Sequence, residues 1–154
     1  MSWGDDVIEL AAPATAAVEL EALAAHLRLS EGFEGAAAET AALEGFARAA
    51  SAAVEGLIGR ALIRRRLTWT VACWRDPVFA PFPLAPVPEV HEVRVMSADG
   101  TWTAVPPTDW VLRSDAIRPC LVGPGGGPLP TIPRDGVAEI EFTAGYGDGP
   151  GGVP

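Results

Sequence analysis

The chain has 154 residues, 49% of them hydrophobic, and its 20 acidic side chains against 11 basic ones leave a formal net charge of −9. That balance excludes a general binder of nucleic acid or acidic membranes, because phosphate binding rests on neutralising cations. The length suits one domain or two small lobes, and no apolar run approaches the ~18 residues of a membrane span.

All eleven basic residues are arginine, which reads first as a coding-composition bias and only second as chemistry. The start, Met1-Ser2-Trp3-Gly4-Asp5-Asp6, has neither the basic stretch nor the apolar core of a secretion signal. Cys73 and Cys120 are therefore expected to stay reduced in a chain made and folded inside the cell. Composition changes sharply along the chain. Residues 13–61 are rich in Ala, Glu and Leu, whereas fourteen of the fifteen prolines and four of the five tryptophans lie beyond Leu62. This pattern predicts an α+β protein: an N-terminal helical hairpin followed by a small antiparallel sheet or sandwich lobe. The expected divisions are an arm over 1–14, a two-helix portion over 15–61, a β-rich lobe over 62–148, and a Gly/Pro linker over 149–154.

Taken in order, Thr15 reads as the N-cap of a first helix reaching about residue 29, with Leu20, Leu23, Ala24 and Leu27 forming one apolar stripe. Residues 30–35 are an acidic connection. A second helix is expected over 37–58, burying Leu43, Phe46, Ala47, Ala50, Val54 and Leu57. Its other face carries Glu44, Arg48, Ala52 and Glu55, and Glu44 to Arg48 is the favourable i, i+4 orientation. Gly59 stops this helix as a left-handed residue, and Arg60 adds positive charge beside the negative helix end. Residues 62–74 alternate as a half-buried strand. A proline-broken crossing fills 77–88. Val90, Val93 and Val95 lead to the turn Ser97-Ala98-Asp99-Gly100, and 102–105 returns as the second arm of a hairpin. Short strands at 110–112, 117–122 and 137–142 complete an expected five or six.

The candidates for chemistry are weak. The cluster Gly123-Pro124-Gly125-Gly126-Gly127-Pro128 lacks the lysine and following helix of a phosphate loop and reads as a surface loop. Arg64-Arg65-Arg66 is not one basic patch, since Arg65 points opposite to its neighbours on an alternating strand. His26 and His91 belong to no metal-spaced cluster, and neither cysteine sits in C-x-x-C, so no metal or cofactor is expected. No serine stands in a nucleophile motif, and Glu139 and Glu141 read as a polar strand face rather than as paired catalytic carboxylates. No enzyme signature survives. A small-ligand or carbohydrate-binding module resting on Trp102 and Trp110 is the alternative.

The order of motifs is more informative. Two helices, the second ending Gly59-Arg60-Ala61-Leu62, precede a Trp-bearing strand, a Pro-rich crossing, an Asp-Gly hairpin and a last strand Phe142-Thr143-Ala144-Gly145-Tyr146-Gly147-Asp148. That series resembles the head–tail connector, or adaptor, proteins of tailed phages and gene transfer agents, over roughly residues 15–154. Ile58 departs from the pattern, where such proteins often have Thr. The resemblance implies a homo-oligomeric ring of about a dozen copies in the neck of the particle, assembled in the bacterial cytoplasm. The portal protein lies above, the next neck or tail protein below, DNA passes transiently through the centre, and no membrane is involved. It also implies that the β lobe is inserted into a helical bundle, and that Gly145-Tyr146-Gly147-Asp148 is the exit toward a further, portal-gripping helical segment beyond Pro154. Glu39, Glu44, Arg48 and Glu55 are then expected to face the lumen or a neighbouring subunit.

Overall fold

Apolar residues alternating with polar ones decide the sheets. The computed structural model describes residues 6–13, 15–28 and 37–153. Within them lie two helices, α1 (Leu20–His26) and α2 (Ala37–Ile58), and eight strands. These strands are β1 (Asp6–Glu9), β2 (Arg65–Val71), β3 (Phe79–Pro81), β4 (Glu89–Met96), β5 (Trp102–Ala104), β6 (Val111–Arg113), β7 (Cys120–Val122) and β8 (Val137–Ala144). They form a five-stranded sheet ordered β1-β2-β8-β4-β5 and a three-stranded sheet ordered β3-β7-β6, with antiparallel neighbours throughout. The class is α+β, as the composition implied.

β2 and β8 lie side by side in the middle of the larger sheet, and their registers match Leu67 with Phe142 and Trp69 with Ile140. Because side chains alternate between faces, these residues all point to one side. There they meet Ala80, Phe82, Leu121 and Leu129 from the region of the smaller sheet, and the two layers share one core. Aromatic rings bind the layers: Phe82 sits 5.5 Å from Trp69 and 5.0 Å from Phe142, both tilted, the offset geometry that ring quadrupoles favour. The opposite face of the large sheet is polar and paired. Arg66 meets Glu141, Arg94 meets Glu139, and the Arg94 guanidinium also stacks 4.5 Å from the Trp102 ring. The β4 register shifts between Val90 and Glu92. His91 falls in that irregularity, with its Nε2 2.7 Å from Thr143 Oγ1.

Several expectations change. Residues 6–9, within the expected N-terminal arm, form an edge strand that pairs Val7 with Trp69. The proline-broken crossing contains β3, and with β1 it brings the strands among the described residues to eight, against the five or six expected. α1 begins at Leu20, with Glu19 at its N-cap position, rather than at Thr15. The Thr15 hydroxyl instead reaches the Asp148 carbonyl at 3.4 Å, and Ala16 is buried, so a tertiary contact takes the place of a cap. α1 also ends early, at His26 rather than near residue 29, because Arg28 turns into the left-handed region with φ +55°, while the connection 30–35 lies outside the described residues. α2 spans 37–58 as expected, and Gly59 follows in the left-handed region with φ +65°. Its buried face is narrower than its apolar stripe. Leu43 and Ala47 are buried, whereas Phe46 is 74% exposed, Leu57 86% and Val54 46%. Among the described residues α1 is the helix that packs against α2, and Phe46, Val54 and Leu57 stay exposed beside it.

Candidate functional site: the corner where helix meets sheet

The two motifs that carry the resemblance lie far apart in sequence and lock together in space. Gly59 turns the chain out of α2, its N–H still donating to the Glu55 carbonyl at 2.9 Å. The Arg60 guanidinium then donates to the Tyr146 hydroxyl at 2.8 Å. Ala61, wholly buried, donates its N–H to the Ala85 carbonyl at 2.9 Å. The Leu62 carbonyl accepts the Tyr146 N–H at 3.2 Å, and the Arg64 N–H donates to the Gly147 carbonyl at 2.7 Å. Arg64 also donates from its side chain to the Tyr146 carbonyl at 3.2 Å and lies 3.8 Å from the Asp148 carboxylate. Gly145 donates to the Pro86 carbonyl at 3.0 Å. Thus Gly59, Arg60, Ala61, Leu62, Gly145, Tyr146, Gly147 and Asp148 form one corner, in which backbone groups outside regular strands find partners, as buried backbone must.

A buried ion pair sits beside this corner. Arg65 is the first residue of β2 and points to the helix side of the sheet, opposite to Arg64 and Arg66 in its partners. Its two terminal nitrogens donate to both Glu55 oxygens, at 2.9 and 2.8 Å, in the fork geometry that suits guanidinium and carboxylate. Glu55 also accepts the Leu62 N–H at 2.6 Å. The Arg65 and Glu55 side chains are 10% and 11% exposed, and Glu9 of β1 stands 3.6 Å from the Arg65 Nε. α2, β1 and β2 are therefore tied by one cation. Glu55 accordingly does not present a free charge on the outer face of α2; its carboxylate is spent inside the subunit.

Burial by itself raises the Glu55 pKa, but the Arg65 hydrogen bonds, the Leu62 N–H and the Arg65 charge together hold it below the ordinary 4.5. A carboxyl with a depressed folded-state pKa binds protons more readily when unfolded. Its contribution is complete above the unfolded value and is lost as pH falls through the folded one. The urea midpoint is therefore expected to drop as pH falls below about 4.5, and Glu55→Gln should flatten that dependence. Equal acid slopes for the two proteins would exclude Glu55 as the group responsible.

The remaining sequence candidates scatter. Glu44 and Arg48 form the expected i, i+4 pair at 2.7 Å, and Arg48 also donates to the Pro13 carbonyl at 2.8 Å, stitching α2 to the segment after β1. Glu39 is exposed near the start of α2 and makes no ion pair among the described residues. Trp102 lies on the polar face beneath Arg94, while Trp110 packs against the core, so the two tryptophans do not make a shared stacking platform. Among the described residues no group of three His, Cys, Asp or Glu is placed to hold a metal ion. No helix among them is long and apolar enough to cross a membrane. What sequence reasoning missed is the Glu55–Arg65 pair.

No protein-family model matches the chain, and no curated protein matches it. Solved particle structures do. A chain in the neck of an empty GTA particle, computed with C6 symmetry, superposes with a TM-score of 0.87 at 38% identity, over 97% of this chain and 75% of that one. A chain in the virion of a native gene transfer agent (GTA) particle gives 0.84 at 38% identity, over 96% and 75%. A chain in the neck of a native GTA particle, computed with C12 symmetry, gives 0.79 at 33% identity, over 97% and 74%. Fold, interlocked corner and these likenesses together define a structural component of a phage-like particle. The chain belongs to the neck proteins of gene transfer agents.

Proposed function

We propose that this neck protein is a head–tail connector, forming a closed ring of about a dozen copies through which DNA passes, with the portal above and the next neck or tail protein below. The observation that carries the reading is the 33–38% identity, over nearly the whole chain, to chains of necks computed with sixfold and twelvefold symmetry. A rotationally closed assembly needs two different contact faces on every subunit, and this chain has apolar surface on both its helical and its β portions. Charge agrees with passage rather than capture. The net charge is −9, and Arg48, Arg64, Arg65, Arg66 and Arg94 are engaged with carboxylates of their own subunit. Such a surface repels a duplex backbone and leaves few cations to hold it in transit.

Two readouts test this. Electron microscopy of particles carrying a tagged copy is expected to show the tag repeated around the neck axis, at about twelve positions if the ring reading holds. The purified protein should leave duplex DNA unretarded at about 0.15 M salt and micromolar protein. One or two copies per neck, or tight DNA binding under those conditions, would overturn the corresponding part of the reading.

A further inference from the structure

We propose that the loop between β6 and β7 carries the contact between copies: Ile117, framed by Arg113 and Arg118, seats against the acidic helical portion of the next subunit. This rests on the ring reading above. Its starting point is charge. Subunits carrying −9 apiece assemble against their mutual repulsion, so a seam between them has to bring cations to carboxylates. Most of the arginines are already committed, since Arg48, Arg64, Arg65, Arg66 and Arg94 are engaged by carboxylates of their own subunit. Arg113 and Arg118 are different. Both are exposed, and neither forms an ion pair among the described residues.

The loop that joins them holds a fixed shape. Residues 113–118 are all exposed. Asp115 Oδ1 accepts the N–H groups of Ile117 and Arg118, both at 2.7 Å, so the turn is closed by its own side chain. One foot of the loop is tied by the pairing of Arg113 with Cys120. The other is Pro119, which is wholly buried and whose carbonyl accepts the Phe82 N–H at 3.0 Å. A loop held in this way loses little freedom when it binds. Ile117 is 63% exposed, the most of any large apolar side chain among the described residues beyond Leu62. Val111, also exposed, lies two residues before Arg113 and so on the same face of the edge strand β6. A lone exposed isoleucine would be ordinary. An apolar pair framed by two unengaged guanidiniums has instead the make-up of an interface, apolar within and charged at the rim.

The matching charge lies on the other portion of the chain. Residues 1–61 hold ten acidic side chains against three basic ones, whereas residues 62–154 hold ten against eight. Within the helical portion, Glu19, Glu21 and Glu39 are exposed and make no ion pairs among the described residues. As solvated carboxylates they do not depend on what packs over the apolar stripe of α2. Basic tip and acidic acceptor are thus unlike surfaces of one subunit, and a contact between unlike surfaces propagates around a ring instead of closing as a twofold pair. Opposite charge across such a seam fixes register and rejects wrong pairings.

The test uses assembled particles. A photoreactive benzophenone side chain placed at Ala116 or at Ile117 is expected to cross-link the chain to further copies of itself, with the linked peptide falling within residues 1–61. In parallel, Arg113→Glu combined with Arg118→Glu should lower incorporation into necks by about tenfold or more. The charge-preserving pair Arg113→Lys and Arg118→Lys should stay within about twofold of wild type. All of these side chains are exposed in the subunit, so none of the changes should alter its melting temperature. Multi-copy necks in which neither probe reaches a second copy, or a charge-reversed variant that incorporates normally, would overturn the proposal. So would cross-links to DNA, to a different neck protein, or to the β portion of a neighbouring copy. Wild-type necks holding only one or two copies would instead remove the ring reading on which it stands.

Discussion

Replacing Gly145 by alanine is expected to lower the melting temperature by about 10 °C or more. Gly145 has φ +123°, a backbone conformation that residues with a Cβ rarely adopt, and strain of this type costs on the order of 1–3 kcal/mol. The added carbon would also stand 2.5 Å from the Arg64 Cα and 2.6 Å from the Arg64 nitrogen. Those are backbone atoms, held by the hydrogen bond from Arg64 to Gly147, so they do not yield as the end of a flexible side chain would. Together the two penalties reach about 3–5 kcal/mol, a large share of the stability of a typical domain. Thermal unfolding followed by circular dichroism is the check. A variant melting within about 2 °C of wild type would falsify the claim that the corner is sterically closed at this point.

The second large effect is expected at Glu55. Truncation to alanine leaves the Arg65 guanidinium, nine-tenths buried, with only the more distant and more exposed Glu9 as a charged partner, and deprives the Leu62 N–H of its acceptor. Removing one partner of a buried pair typically costs about 3–5 kcal/mol, and the remaining contact with Glu9 places this case near the lower end. Because most of the penalty is an uncompensated buried cation, replacing both partners should hurt less than replacing one. Urea unfolding of Glu55→Ala, Arg65→Met and the double variant forms the cycle that tests this. A double variant losing the sum of the two single losses would show that the pair is not coupled.

Much of this architecture was legible in the chain. Residues 37–58 carry apolar positions at helical spacing and end at a glycine, and the helix occupies that span. The hairpin through Asp99-Gly100 and the strand expected over 137–142, which runs on to Ala144, followed from turn chemistry and alternation. Shorter elements did not. β1 is four residues whose only regular partner is β2, some sixty positions away, so nothing local marks it as a strand. β3 ends on Pro81 and is followed by Pro83, which reads as a break; its position at the edge of the small sheet is what allows a proline there. At the candidate site, the motifs that identify the family were visible, but their meeting was not. The hydrogen bond from Arg60 to Tyr146 joins residues 86 positions apart. Likewise, periodicity marks Phe46, Val54 and Leu57 as one apolar stripe without saying whether the same chain covers it.

The corner has an engineering consequence. Because Tyr146 donates to Leu62, everything between those two residues begins and ends at a single point beside the helices. Closely spaced ends are the condition under which a whole unit tolerates being moved or replaced. Strands β2 to β8 can therefore be exchanged between relatives by two cuts a hydrogen bond apart, provided the incoming β2 keeps its pairing with β1 and the contact of Arg65 with Glu55.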